Sequence, residues 1–84
     1  MVGSKPAISF DERWMVLHRY TDDRSDIYLV DLLSGEEHKM TNMKAGQYAL
    51  YPHWRSDNWV MFLVKDNNSG KEYAVAGDAA LALE

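Results

Sequence analysis

The sequence predicts an all-β protein, an antiparallel meander of about two four-stranded units of which the second is incomplete. Three observations lead to this prediction. Residues 52–64 repeat most of the pattern at residues 6–18. Short runs rich in β-branched and aromatic residues alternate with clusters of turn-forming residues. The only stretch with a helical composition is residues 78–83, which are rich in Ala and Leu.

The repeat has the same order of features in both copies. A proline opens a short extended piece, a turn centred on Asp11 or Asp57 follows, and an apolar run comes next. Asp side chains accept hydrogen bonds from backbone amides two residues on, so both residues are interpreted as structural turn residues. The copies are about 46 residues apart (from Pro6 to Pro52), and this period is close to the roughly 40–45 residues of a propeller blade.

The first unit, residues 5–42, is predicted to have four strands, near residues 6–9, 13–20, 26–32 and 36–40. Pro6 opens the first strand, where no ladder donor is required. The second strand alternates between two faces, of which one carries Trp14, Val16 and His18. The fourth strand is polar, as suits a solvent-facing edge.

The second unit, residues 48–77, is predicted to have three strands, near residues 50–55, 59–65 and 72–76. The run at 59–64 is apolar on both faces, so we expect it to be covered on both sides. Deleting one loop residue aligns the third strand with residues 27–31 and places Tyr73 at the position of Tyr28. The tail at 78–84 stands where a fourth strand belongs, and its last residues are interpreted as part of a cloning scar. We expect a single small domain cut from a longer chain.

Both copies resemble the repeat of TolB-like β-propellers. The second copy matches the family pattern at Pro52, Trp54, Asp57, Met61 and Phe62. The first copy matches it at Pro6, Ser9, Asp11, residues 14–17, residues 27–31, Ser34, Gly35 and residues 39–41. The glycine of the family's turn is replaced by Glu12 in one copy and by Asn58 in the other. The resemblance implies four-stranded blades and a role in binding, and it suggests a periplasmic or secreted parent protein.

The resemblance implies no particular reaction, because the same repeat serves transport accessories, peptidase gating domains and sugar-acid lyases. We therefore expect a non-catalytic interaction module that binds a protein or peptide. The alternative is a non-catalytic fragment of a propeller-containing enzyme, either a sugar-acid lyase or a prolyl-oligopeptidase-type peptidase. The sequence offers no nucleophile motif and no Cys, and no cofactor is expected.

Charge and length limit the partners. The net charge of -4 argues against nucleic acid, and the longest apolar run is far shorter than the roughly 20 residues of a membrane helix. Two blades cannot close a ring that needs about 4–8. Their outer apolar faces would be exposed to solvent, so we expect a homo-oligomer that covers these faces.

No metal site is expected from the ligand-type residues. His18, His38 and His53 lack a metal-ligand spacing, and His18 is interpreted as a partly buried packing residue. Asp66, Asn68, Gly70 and Glu72 loosely match a calcium loop, but a hairpin turn is the favoured interpretation. A second acidic loop, formed by Asp22, Asp23 and Asp26, is interpreted as a solvated turn.

The chain also carries a heavy load of aromatic residues: Trp14, Trp54, Trp59, Tyr20, Tyr28, Tyr48, Tyr51 and Tyr73. Two interpretations stay open. They line a groove for a peptide or carbohydrate, since aromatic side chains dominate interface energetics, or they form the packed core between blades.

Overall fold

The computed structural model describes residues 6–83 and confirms the all-β fold class. The seven strands within these residues are β1 (Ala7–Ile8), β2 (Trp14–Thr21), β3 (Arg24–Asp31), β4 (Glu37–Lys39), β5 (Gln47–Trp54), β6 (Trp59–Asp66) and β7 (Lys71–Asp78). A 3₁₀ helix, Ala79–Leu83, follows β7 directly. The predictions for residues 1–5 and for Glu84 lie outside the described residues.

The strands form two antiparallel meanders within one sheet. The first meander is β1 to β4, and the second is β5 to β7. A single parallel pair, Ser25 with Tyr48, joins β3 to β5. The buried Ser25 hydroxyl strengthens this junction by donating a hydrogen bond to the Ala49 carbonyl at 2.8 Å.

The core is one cluster to which both meanders contribute. Its buried members are Val16, Ile27, Leu29, Ala49, Val60, Phe62, Val64 and Ala79. The last of these belongs to the 3₁₀ helix, so the tail folds back onto the core instead of adding a strand. Its Ala and Leu residues favour a helical turn over an extended strand, as their composition indicates.

The two Asp-centred turns have the same geometry. Asp11 accepts a hydrogen bond from the Arg13 amide at 3.0 Å, and Asp57 accepts one from the Trp59 amide at 3.2 Å. Each bond spans two residues, as the sequence predicts. The residue after each Asp is left-handed, with φ of 59° at Glu12 and 66° at Asn58. A left-handed conformation is the one that glycine adopts without steric strain, so Glu12 and Asn58 both stand at positions that favour glycine.

Trp14 and Trp59 hold equivalent places, but they face different surroundings. Each begins the second strand of its meander. Its carbonyl accepts a hydrogen bond of 2.8 Å from the amide of the residue just after the preceding strand, which is Ser9 for Trp14 and Arg55 for Trp59. Trp14 packs against the core, together with Val16. Trp59 lies on the opposite face of its strand from buried Val60. The two meanders therefore meet through opposite faces, an arrangement that we call front-to-back stacking.

The two-sided covering expected for residues 59–64 is therefore only half right. Val60, Phe62 and Val64 are buried, whereas Trp59, Met61 and Leu63 are half-buried on the outer face. Arg55 covers part of that face, with its guanidinium carbon 5.3 Å from the Trp59 ring centre.

The predicted alignment of residues 72–76 with residues 27–31 is wrong, because the third strands of the two meanders correspond in a different register. The Asp31 carboxylate accepts a hydrogen bond from the amide of Leu33, and the Asp78 carboxylate accepts one from Ala80 in the same way. Asp78 is thus the counterpart of Asp31, which removes Tyr73 from the position of Tyr28. A sequence match of Tyr and Val side chains could not reveal this, because register is set by the turns.

Pro52 lies inside a strand, as the prediction of a strand at 50–55 requires, and does not open an extended piece as the repeat pattern indicates. It is buried within β5, where the register with β6 shifts between Leu50 and His53. Proline cannot donate to a ladder, so it is accommodated at this β-bulge.

One glycine ties the two hairpin loops together. The Gly46 amide donates to the Asp23 carbonyl at 2.8 Å, and the Gly46 carbonyl accepts from the Asn67 amide at 2.9 Å. Gly46 has φ of 84°, and a Cβ placed there would come within 2.8 Å of the Asn68 side-chain oxygen. The connection between the meanders therefore favours glycine at this position, where another residue would be strained.

Candidate functional site

The three histidines lie on three different strands. His18 is on β2, His38 on β4 and His53 on β5. His18, predicted to be partly buried, is buried, with 7% of its surface exposed. His38 lies 3.7 Å from the Glu36 carboxylate. Across residues 6–83, no group of three or more His, Cys, Asp or Glu side chains is arranged to hold a metal ion.

The loop that loosely matches a calcium site is a hairpin turn. The Asp66 carboxylate accepts hydrogen bonds from the Asn68 amide at 2.9 Å and from the Gln47 side chain at 3.3 Å. These bonds, led by the one from Gln47, lower the pKa of Asp66. Gly70 is left-handed, with φ of 73°, and Glu72 lies on β7. The carboxylate oxygens of Asp66 thus serve the turn itself.

The solvated-turn interpretation of the second acidic loop is wrong for Asp26. Asp22 and Asp23 are exposed, but Asp26 is only 3% exposed. Its carboxylate accepts hydrogen bonds from the Thr41 hydroxyl at 2.5 Å and from the Met43 amide at 2.9 Å. These partners are 15 and 17 residues away, so local composition could not reveal them. Asp26 holds the connection between the meanders in place.

The aromatic residues divide between the two interpretations. Trp14 and Trp54 pack against the core, and the Trp54 indole donates to the Ala7 carbonyl at 2.9 Å. Tyr28 lies beneath Arg19, whose guanidinium carbon is 4.4 Å from the ring centre. Tyr73 is 48% exposed on β7. The remaining tyrosines are joined by ring contacts that run from Tyr51 through His18 and Tyr20 to Tyr48.

We call Tyr20, Tyr48 and Tyr51 the tyrosine patch. The His18 ring meets Tyr20 and Tyr51 edge-on, with ring centres 5.3 and 5.5 Å apart. Tyr20 and Tyr48 are 6.1 Å apart. Tyr20 and Tyr51 are 46% and 65% exposed, so the patch presents aromatic surface to solvent. The buried His18 ring supports the patch through its contacts with Tyr20 and Tyr51.

Tyr51 is held in an unfavourable backbone conformation. Its φ is 55°, within the left-handed region that large side chains rarely adopt. The surrounding structure holds it there, because its amide donates to Nδ1 of His18 at 3.2 Å. Bulges and strained residues concentrate at functional sites. Sequence analysis did not predict this bulge, although Pro52 inside a strand is the signal that would indicate it.

The protonation state of His18 matters to the patch. Burial lowers the pKa of His18 from its ordinary value of 6.5 because a charged ring loses hydration. The neutral ring can accept from the Tyr51 amide at Nδ1, which a protonated ring cannot do. Neutral His18 therefore fixes the main chain that carries the most exposed ring of the patch.

Comparisons with known proteins do not assign the chain to a family. No protein-family model, no curated protein and no solved structure matches the chain. Within residues 6–83, helical structure is too short and too weakly apolar to cross a membrane.

Proposed function

We propose that the chain is a non-catalytic interaction module, part of a TolB-like propeller, that binds a protein or peptide through the tyrosine patch. The observation that carries the proposal is exposed Tyr51, held in a strained conformation beside Tyr20 and supported by His18. Strain persists only where the surrounding structure imposes it, and it is often part of a binding function.

The chemistry of the patch suits a protein partner. Tyrosine has a large apolar ring of few rotatable bonds and a hydroxyl that can bond a partner's backbone. Interface cores are enriched in Tyr and depleted in charge, and the patch residues are all uncharged. Rings fixed against buried His18 lose little conformational entropy when a partner binds.

The propeller part of the proposal is supported by the way the two meanders repeat. Their turns share the Asp hydrogen bond and the left-handed residue that follows. Their front-to-back stacking, in which Trp14 faces the core and Trp59 faces outward, is the relation expected between successive blades.

The test is a set of peptides selected by display against the intact chain. We expect their binding to weaken at least about tenfold in Tyr51→Asn, a variant that keeps a residue tolerant of the left-handed conformation. The control is Phe10→Asn, which removes an aromatic ring that is 72% exposed and not among the patch residues. Equal binding by Tyr51→Asn and the wild type would overturn the proposal.

We also propose that the chain self-associates through its outer faces. Met61 and Leu63 lie on the face of the second meander that corresponds to the buried face of the first. A second copy can therefore repeat the internal front-to-back contact, and such a head-to-tail contact closes into a ring or continues as a fibre.

Sedimentation equilibrium tests this association. We expect the wild-type chain to sediment above the mass of one chain, and Met61→Asp to reduce it to a folded monomer. Lys44→Asp, a charge change at an exposed position outside the strands, is the control. A wild-type chain that remains monomeric at millimolar concentration would contradict the proposal.

A further inference from the structure

The two meanders differ at their outer edges. In the first, β4 pairs with residues 28–30 of β3. In the second, β7 is the last strand of the sheet within residues 6–83. Because Asp78 is the counterpart of Asp31, the residues of β7 that correspond to 28–30 are Val75, Ala76 and Gly77. The chain therefore contains a template for a strand that would pair with β7.

The hydrogen-bonding groups of β7 divide between its two sides. The Arg55 amide donates to the Trp59 carbonyl, which shows that Trp59 directs its backbone groups towards β5. Directions alternate along a strand, so Val60 and Phe62 direct theirs towards β7 and bond with Gly77 and Val75. The amides of Ala74 and Ala76 therefore point to the outer edge.

A cavity of about 420 Å³ lies beside this edge. Its lining includes Val75 and Gly77 of β7, Met40 after β4, and Leu81 of the 3₁₀ helix. An incoming residue opposite Val75 shares its face of the sheet, which is the face that contributes to the cavity. The wall is mainly apolar, with Lys39 and Asp78 as its charged members, and it suits an aliphatic side chain.

We propose that the outer edge of β7 binds an extended segment of a partner protein, antiparallel to β7 and with an aliphatic side chain opposite Val75. Backbone hydrogen bonds to Ala74 and Ala76 supply affinity, and the cavity supplies specificity. The pairing of β4 with β3 provides the register for the bound segment. Glu37 and Lys39 of β4 are both exposed, so polar residues are tolerated at these positions of the added strand. This surface is separate from the tyrosine patch and does not depend on it.

The probe is a capped synthetic peptide with the sequence of residues 34–41, in which Lys39→Leu places the aliphatic side chain opposite Val75. We titrate it into the full chain and follow amide signals by NMR. At saturation we expect hydrogen exchange at Ala74 and Ala76 to slow at least about tenfold. The amide of Val75, already bonded to β6, should change little.

A matched pair of variants tests the edge directly. Ala76→Pro removes the amide that points outward, which edge strands tolerate, and should weaken peptide binding at least about tenfold. Ala76→Ser keeps the amide and should bind as the wild type does. Melting curves check that both variants fold, and the exchange measurement on the wild type stands without them.

Three results would overturn the proposal. They are unchanged binding by Ala76→Pro, no slowing of exchange at Ala74 and Ala76, and protection of these amides without peptide that grows with chain concentration. The last would mean that a second copy occupies the edge. Loss of binding in Tyr51→Asn with none in Ala76→Pro would place the peptide on the tyrosine patch and overturn the edge proposal alone.

Discussion

The two meanders use the same residue at the same place with different results. Trp14 and Trp59 each begin a second strand, yet Trp14 packs against the core and Trp59 lies on the outer face. Local sequence therefore does not decide which side of a repeat is buried. The neighbouring meander decides it, because each meander has two apolar faces and only one of them meets the other meander.

The largest expected effect comes from placing a charge on the buried face of β6, and the outer face of the same strand provides the comparison. Phe62 is 6% exposed within the core, so Phe62→Asp should remove at least about 4 kcal/mol of unfolding free energy and prevent folding. Leu63→Asp on the half-buried outer face should cost about 1 kcal/mol. Urea denaturation followed by tryptophan fluorescence measures both. Equal losses would contradict the difference between the faces.

The next largest effect is expected at Asp26 of the first meander, whose carboxylate holds the connection between the meanders. Asp26→Ala leaves the half-buried Met43 amide and Thr41 hydroxyl without their acceptor, and it should lower the unfolding free energy by about 3 kcal/mol. Asp22→Ala removes an exposed carboxylate from the adjacent turn and should change it by less than about 0.5 kcal/mol. Thermal unfolding compares the two, and similar melting temperatures would refute the role of Asp26.

These residues also show how far the sequence predicts the fold. The alternating pattern of β2 and the apolar run of β6 predicted both strands within a residue or two, because side-chain periodicity is local. Asp26 was missed because its partners are distant in sequence. The registers that make Trp14 equivalent to Trp59, and Asp31 to Asp78, depend on turn hydrogen bonds that composition does not encode.

The candidate site was harder to predict than the fold. The sequence indicated an excess of tyrosine but not which rings gather. His18 comes close to Tyr51 because β2 and β5 meet, and the bulge at Pro52 turns the Tyr51 amide towards the imidazole. The burial of His18 was predicted correctly from its place on an apolar strand face.

The repeated turns allow a smaller and sharper comparison. Glu12 and Asn58 are both left-handed, but Asn tolerates this conformation better than Glu. Glu12→Gly should therefore raise the unfolding free energy by about 1 kcal/mol, and Asn58→Gly by a few tenths at most (about 0.3 kcal/mol). Chemical denaturation of the two variants measures this. A larger gain at Asn58 would contradict the assignment of strain.

The smallest effect is the pH dependence contributed by His18 at the junction of the meanders. Its pKa is lowered in the folded state, so the unfolded chain binds the proton more readily. The stabilisation is complete above the ordinary pKa of 6.5 and is lost as the pH falls from there through the lower folded-state pKa. His18→Gln should lack this dependence and His53→Gln should retain it. Denaturation at pH 7.5 and pH 5 compares them, and an unchanged slope in His18→Gln would exclude the role.

Gly46 limits where this protein can be cut or extended. Because its amide and carbonyl bond the hairpin loops of both meanders, a tag or a new chain terminus in either loop would disturb the other. The turn between β3 and β4 at the opposite end is free of this link, and Leu33 there is 79% exposed. Circular permutation, fluorophore attachment or domain insertion is thus best directed to that turn, which leaves the hydrogen bonds between the two hairpin loops intact.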